Sequence, residues 1–504
     1  MSKFFLLVVI SLMSFIAYAD TFINICDRGP IFEATLYHIN SVSCDSVSLE
    51  KISKIRILYL NVKDDKLPEH AFDGFDSLQE VEIFDYMGKE FPVKALSKIK
   101  HLESLRLGGF DVWLITEKMF AGLNSLATLE LSIPNNVKSE FQKNAFVGLD
   151  NLQTLKIMSY NLMHLDAEVF SGLNQLTTLN LDTDKLVIQD SIFRKLTNLK
   201  HLYLTGFNSN ELHENLFSGL FNLETLRMSG TDDKELPVAI FRDLEKLKVL
   251  DMSYGLFEQL PEAIFHGLNN LESLNISGSY LKNLSPDIFL GLTSLKMVDF
   301  YWNDITELPY GLFRTNKSLE GFIFSRTQLK SVPTDLIQNL PKLSYIDLSS
   351  NHIEEIPSNF FNGATSLTYV HLGINTGAIL HYGNQISHLE PSVFADLINV
   401  KELYLTGNKI SEIHPATFSN LKSIEKLFLT QNNLSQLHAD LFAGLENLKT
   451  LDLSNNNLTV IPENLFRDLP DKAVVGIYYN YNMSADEKRK IRQANSRLKI
   501  LIDN

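Results

Sequence analysis

The sequence predicts an α/β solenoid, one continuous coil built on short parallel β-strands, rather than a set of separate globules. Three observations predict it: a leucine-spaced segment recurs with a fixed period, a phenylalanine marks each period, and two cysteines are too few to hold 504 residues by disulfides or metal. Stability must come from packing between successive turns.

The period is explicit near the C-terminus. Leu448, Leu451, Leu453, Asn456 and Leu458, followed by Ile461, Pro462 and Phe466, recur almost in register from Ile424 to Phe442 and from Val400 to Phe418. Phenylalanine fills positions 193, 217, 241, 265, 289 and 313, Ile337 stands in, and Phe361 follows, each step being 24 residues. Upstream the slot holds Phe72, Leu96, Phe120, Phe146 and Phe170, and downstream Phe394, Phe418, Phe442 and Phe466, which gives about 17 repeats over residues 52–470. The step from Phe361 to Phe394 is 33 residues, so nine extra lie within Gly373 to Glu390, in a segment containing Tyr382 and Gly383.

Alternation in L-x-x-L-x-L suits a short strand with one face buried. Leu451 and Leu453 are predicted to point in, and Thr450, Asp452 and Ser454 to point out. The rest of each unit returns the chain to its starting point, so strands stack in parallel and the Phe and Leu side chains form columns.

Composition narrows the function classes. Apolar residues are 45% and charged residues 21%, which excludes a disordered chain. With 45 Lys and Arg against 60 Asp and Glu, the net charge of −15 repels polyphosphate, so no nucleic acid partner is expected.

Residues 1–19 read as a signal peptide: Lys3, an apolar stretch from Phe4 to Ile16, then Ala17-Tyr18-Ala19 before Asp20. No later segment is long and apolar enough to predict a membrane span. The chain is therefore expected to be secreted and extracellular. In that compartment Cys26 and Cys44 should form one disulfide within an N-terminal cap, residues 20–51. Glycosylation is predicted at six Asn-x-Ser/Thr sites, Asn275, Asn283, Asn316, Asn433, Asn457 and Asn482.

At the other end, residues 471–504 predict a degenerate last strand with Val475 and Ile477, then a capping helix. Ser484-Ala-Asp-Glu487 has the form of a capping box, and Ile491, Ala494 and Leu498 share one side of the helix. Lys488, Arg489, Lys490, Arg492, Arg497 and Lys499 are read as its solvated outer face.

These repeats resemble extracellular leucine-rich repeat proteins of the 24-residue type, similar to Toll-like receptor ectodomains and secreted leucine-rich repeat proteins. The resemblance spans Ile55 to Leu469. It implies a horseshoe with a concave parallel β-sheet and a mostly irregular or short-helical convex side. It also implies that the Asn after each strand bonds to the backbone of adjoining turns, here Asn303, Asn351, Asn375, Asn408, Asn432, Asn456 and Asn480. Earlier repeats depart from this, with Tyr160, Asp184, Phe207, Thr231, Gly255 and Ser279 in the slot, so that half either finds other hydrogen-bond partners or is looser. The family's Cys-rich C-terminal flank is absent from this sequence.

No catalytic or phosphate-binding motif accompanies the repeats: H-E-x-x-H, G-x-S-x-G, G-x-x-x-x-G-K-[ST] and C-x-x-C do not occur. His414 and His438 stand one repeat apart but lack a third ligand. The expectation is no enzyme, no cofactor and no metal. What the architecture offers is surface. Outward strand positions near the insertion carry Tyr345, Tyr369, His371, Tyr404 and Phe428, with Tyr301 two strands earlier. Exposed aromatics on a sheet mark recognition sites, and these five are the candidate ligand-binding residues.

The predicted function is a secreted, non-enzymatic recognition protein binding a protein, a glycoconjugate or a microbial surface ligand on the concave face. The resemblance makes innate immunity or cell adhesion its setting. A structural or regulatory subunit that stabilises a separate secreted enzyme is the alternative, and both homo- and hetero-oligomers remain open.

Overall fold

The computed structural model describes residues 7–8, 49–61, 67–84, 91–109, 113–117, 119–208, 212–374 and 383–503. Apart from Leu7–Val8, which lies antiparallel to Ile57–Asn61, the expected leader lies outside these residues, as do Cys26, Cys44, Asn375 and Tyr382. The fold is a parallel-sheet solenoid of about 17 turns with little helix. It divides into two compact units, Met1–Asp233 with Ala239–Leu247, and Lys234–Val238 with Lys248–Asn504.

In the first unit, strands Ile57–Asn61, Glu80–Phe84, Ser104–Gly108, Thr128–Ile133, Thr154–Ser159, Thr178–Val187, His201–Asn208 and Thr225–Ser229 each pair in parallel with the next. The register advances one repeat per strand, so Leu105, Leu129, Leu155, Leu179, Leu202 and Leu226 align, and all are fully buried. Behind them Phe120, Phe146, Phe170, Phe193, Phe217 and Phe241 form the predicted column. Their ring centroids are 5.9, 6.2, 6.3, 6.4 and 6.1 Å apart and their planes nearly parallel. Offset stacking of this kind adds to the area each ring buries.

The asparagine slot of this unit is filled by other means. Asp184 and Phe207 lie inside the strands Thr178–Val187 and His201–Asn208, which continue through the slot after an irregularity between Thr205 and Phe207. Continued strand pairing satisfies the backbone groups that an asparagine would otherwise serve. Tyr160, by contrast, is exposed.

The second unit has three-residue strands, among them Ser273–Asn275, Met297–Asp299, Tyr345–Asp347, Tyr369–His371, Glu402–Tyr404, Lys426–Phe428, Thr450–Asp452 and Val474–Gly476. From Met297–Asp299 onward, buried asparagines follow most of these strands. Asn432 Nδ2 donates to the carbonyls of Leu405 and Leu429 at 2.9 and 3.1 Å, and Asn456 Nδ2 to Leu429 and Leu453 at 3.0 Å each. Each Oδ1 accepts a backbone N–H of the preceding turn, as Asn432 does from Ile410 at 3.1 Å. Asn303, Asn351, Asn408 and Asn480 behave alike. At the insertion the work falls to Asn384, which donates to Leu348 and Leu372 and accepts from Ile353. The chain returns at Gly383, where a Cβ would stand 2.6 Å from the Gly407 carbonyl oxygen, so no larger residue fits without a shift. Thr327 takes one slot with its hydroxyl, which donates to Asn351 Oδ1 at 2.6 Å and lies 3.0 Å from the Phe324 carbonyl oxygen.

Opposite the strands the chain turns rather than coils into helix. In the Phe-x-Gly-Leu turn the glycine adopts a left-handed conformation, φ 98° at Gly148, which a side chain would strain. Ser454, expected to face outward, is buried, and its hydroxyl accepts from the Tyr478 N–H at 3.1 Å.

The C-terminus departs from expectation in three ways. Val474–Gly476 is not the last strand: after the helix Ala485–Ala494, Lys499–Leu501 adds to its open side in parallel. Ser484 caps the helix by accepting from the Glu487 N–H, but Glu487 Oε1 accepts from the Ile461 backbone N–H and ties the helix to the repeats. Ile491 and Leu498 are buried as predicted, but Ala494 is exposed, and Lys488 is buried instead, its ammonium 3.2 Å from Asp503. The helix turns that side inward because the aliphatic stem of a lysine packs while its charge finds a carboxylate.

Candidate functional site

Outward positions alternate with the buried leucines, so each strand of the second unit presents its first and third residues. Strand register sets Tyr345 beside Tyr369, and sets Asp347, His371, Tyr404 and Phe428 side by side in the next row. The five predicted residues therefore meet. Tyr345 and Tyr369 stack with centroids 4.6 Å apart and planes 8° from parallel, and Tyr404 and Phe428 stack at 4.7 Å and 12°. Tyr369 lies 5.3 Å from Tyr404 and joins the two stacks, while His371 sits 6.2 Å from Tyr369 and 4.9 Å from Tyr404. The four larger rings are half-buried, so the ridge is rigid yet open to a partner. Tyr301 does not join them; Arg326 lies 5.6 Å over its ring.

Polar groups fix the ridge. Tyr404 Oη donates to Glu402 at 2.6 Å, and Lys426 Nζ donates to the other Glu402 oxygen at 2.9 Å. Burial acts to raise the Glu402 carboxyl, but these two hydrogen bonds outweigh it and hold the group below its ordinary range. Burial, then Asp347 and Asp299, pushes the Tyr345 phenol up to about 12, against a hydrogen bond with Tyr369. Burial likewise raises Tyr369 and Tyr404, the latter further through Glu402. All three phenols stay protonated near neutrality, and the Tyr404 proton is committed to Glu402.

Sequence reasoning missed the acidic row beside the rings. Asp347 is 6% exposed, and its Oδ1 lies 3.7 Å from His371 Nδ1. His371 Nε2 lies 3.1 Å from the Ile374 carbonyl oxygen. Burial lowers the His371 pKa, with Asp347 and the Ile374 carbonyl opposing. Two and four strands away, Asp299 and Asp251 hold the same strand position as Asp347. Burial raises the Asp299 carboxyl, and Asp347 and Asp251 add to the rise. The signal was present as aspartate recurring every second repeat at the third strand position.

The remaining candidates are dispersed. Asn316 is fully buried and donates from Nδ2 to the Phe289 and Leu292 carbonyls at 3.1 and 2.9 Å, so the folded chain offers no nitrogen there to a sugar. That site is withdrawn. Asn275 is half-buried on the strand face and accepts from the Ser277 N–H, whereas Asn283, Asn433, Asn457 and Asn482 are exposed. His414 and His438 are exposed, and each Nδ1 accepts a local backbone N–H, from Ala416 and Asp440. Of the basic C-terminal residues, Arg497 donates to the Phe466, Arg467 and Leu469 carbonyls, Arg489 pairs with Asp486, and Lys488 with Asp503. In the first unit the corresponding strand face carries an ionic network: Arg106 bridges Glu82 and Glu130, and Lys156 pairs with Glu130, at 2.6, 2.7 and 2.6 Å.

The leucine rich repeat family model matches residues 234–281, 245–305, 301–353, 323–376, 379–434 and 423–471. The BspA type leucine rich repeat region matches residues 38–139 and 114–248. No curated protein sequence matches the chain. Among solved structures, a chain of the Toll–Spatzle complex of Drosophila is similar with a TM-score of 0.68 and 17% identity, over 84% of this chain and 61% of that one. This chain therefore spans about three-fifths of that relative's length. A leucine-rich repeat protein of Leptospira interrogans is similar with a TM-score of 0.59 and 23% identity, over 90% of this chain and 97% of that one. At these identities the likeness is one of fold.

Proposed function

The chain belongs to the leucine-rich repeat proteins, and from that premise we propose that it is a non-enzymatic recognition protein whose protein ligand docks on the strand face of the second unit. The supporting observation is the continuous ridge of Tyr345, Tyr369, Tyr404 and Phe428 with His371 against it. Rings held by mutual stacking lose little freedom on binding, so the area they bury goes into affinity. The acidic row of Asp251, Asp299 and Asp347 along the same face favours a ligand with basic residues beside its apolar contact. Toll was solved with Spatzle, in work on development and innate immunity, and an immune or adhesive setting is the corresponding reading here.

Export completes the reading. The signal peptide would be removed before Asp20, Cys26 and Cys44 would be bridged, and glycans would sit on exposed Asn283, Asn433, Asn457 or Asn482. The test is affinity capture from the secretions of the source, comparing the wild-type chain with Tyr369→Ala plus Tyr404→Ala. A stoichiometric protein held by the wild type and lost by the variant supports the reading. A partner held equally by both overturns the site, and catalytic turnover by the purified chain overturns the non-enzymatic assignment.

A further inference from the structure

The second unit carries a trough that the strand face does not include. After each of its last strands come a left-handed residue, a buried ladder asparagine and an outward residue. The left-handed positions are Gly407, Gln431, Asn455 and Tyr479, with φ of 74°, 57°, 55° and 57°. The outward positions are Lys409, Asn433, Asn457 and Tyr481, all exposed. Two rows of side chains thus flank a floor of ladder asparagines, enclosing about 320 Å³, at the lower end of the roughly 300–1,000 Å³ of small-molecule sites.

The chemistry of the walls is specific. Among the described residues, the side-chain amides of Gln431, Asn433, Asn455 and Asn457 make no hydrogen bond, so four NH2 groups and four carbonyl oxygens line one trough unspent. At one end Tyr479 and Tyr481 stand 54% and 78% exposed, with ring centroids 6.0 Å apart. Three non-glycine residues in a row hold a left-handed backbone, which is unfavourable for each and fixes the wall side chains on the rim. Only Lys409 brings a charge to the walls. Neutral amides that donate and accept, ending in aromatic rings, match a ligand with vicinal hydroxyls on one side and C–H groups on the other.

We propose that this trough binds a neutral saccharide, its hydroxyls on the Gln431, Asn433, Asn455 and Asn457 amides and its apolar ring face on Tyr479 or Tyr481. Two sources share that chemistry: a free oligosaccharide, or the chain's own glycan attached at Asn433 or Asn457, in which case the attached asparagine supplies the link and the remaining amides supply the hydrogen bonds. The proposal is independent of the ridge of Tyr345 and Tyr404.

N,N′-diacetylchitobiose is the probe, because it serves as a free oligosaccharide and as the core of an attached N-glycan. Ser435→Ala plus Thr459→Ala removes both sequons while keeping both asparagine amides; neither hydroxyl makes a hydrogen bond in the fold. If the source is external, chitobiose added to this variant shifts the resonances of Tyr479 and Tyr481, and further substitution of both tyrosines by alanine weakens binding roughly tenfold. If the source is the attached glycan, the secreted wild-type chain shows ring-current-shifted sugar protons that Tyr481→Ala returns to free positions. Tyr345→Ala should change neither result. No chitobiose binding by the sequon-free variant, together with unshifted glycan protons in the wild type, overturns the proposal.

Discussion

Asn384 Oδ1 accepts the backbone N–H of Ile353 at 3.1 Å, while its Nδ2 donates to the carbonyls of Leu348 and Leu372 at 2.9 and 2.8 Å. Leu348 also receives Asn351, and Leu372 also receives Asn408. The ladder therefore survives the nine-residue insertion because a later asparagine re-enters it, and the strands Tyr369–His371 and Glu402–Tyr404 stay in register across the break.

Asn384→Ala leaves both carbonyls with their second donor but orphans the buried Ile353 N–H. The expected destabilisation is about 2 kcal/mol. Asn384→Asp should be worse, since it keeps the acceptor but sets a carboxylate oxygen against two carbonyls. Denaturant titration followed by tyrosine fluorescence checks the order wild type, alanine, aspartate; an aspartate variant more stable than the alanine variant would contradict it.

Tyr404→Phe removes one of two hydrogen bonds on Glu402 and keeps the stack on Phe428. The Glu402 carboxyl should rise toward the ordinary value of 4.5. A carboxyl held low in the folded chain contributes stability above its unfolded value, and that contribution is lost as pH falls through the folded value. The variant should therefore lose less stability than the wild type on acidification. Carbon-13 titration of the Glu402 carboxyl gives the direct readout.

His371 should titrate below the ordinary imidazole value of 6.5, because burial disfavours its charged form. For a histidine lowered in this way, stability is present above 6.5 and lost as pH falls through the folded value. Asp347→Asn removes the opposing attraction and should lower the midpoint further. Proton NMR of the His371 Cε1–H measures both; a rise in Asp347→Asn contradicts the assignment.

Removal of residues 484–504 takes away Lys499–Leu501 and leaves the strand Val474–Gly476 as an open edge. Aggregation is the expected outcome, since an unpaired edge templates further strands. Ser484→Ala should lose only the cap, about 1 kcal/mol, and stay monodisperse in light scattering.

Most of the solenoid was legible because burial repeats with the chain: the period-24 phenylalanines became stacked columns, and outward positions around Tyr369 became neighbours. What the period does not encode was lost. The point where an insertion rejoins the coil is set by Gly383 against Gly407, so Asn384 was not distinguishable from Asn375. The sequon at Asn316 reads like the others although its amide is spent inside the turn. Helical spacing put Ala494 with Ile491, but the docking of Glu487 on Ile461 turns Lys488 inward instead. The trough arises from Gln431 and Asn433, two residues apart around a buried asparagine, and becomes a cavity only when turns stack.

The central claim is that the aromatic ridge is the docking site for a protein ligand. Its most direct test is the dissociation constant of the purified captured partner for the wild type and for Tyr369→Ala plus Tyr404→Ala, each checked for an unchanged fold by circular dichroism. Two ridge anchors removed together should weaken binding by roughly a hundredfold or more. An affinity unchanged by that pair, in a chain that still folds, would contradict the account.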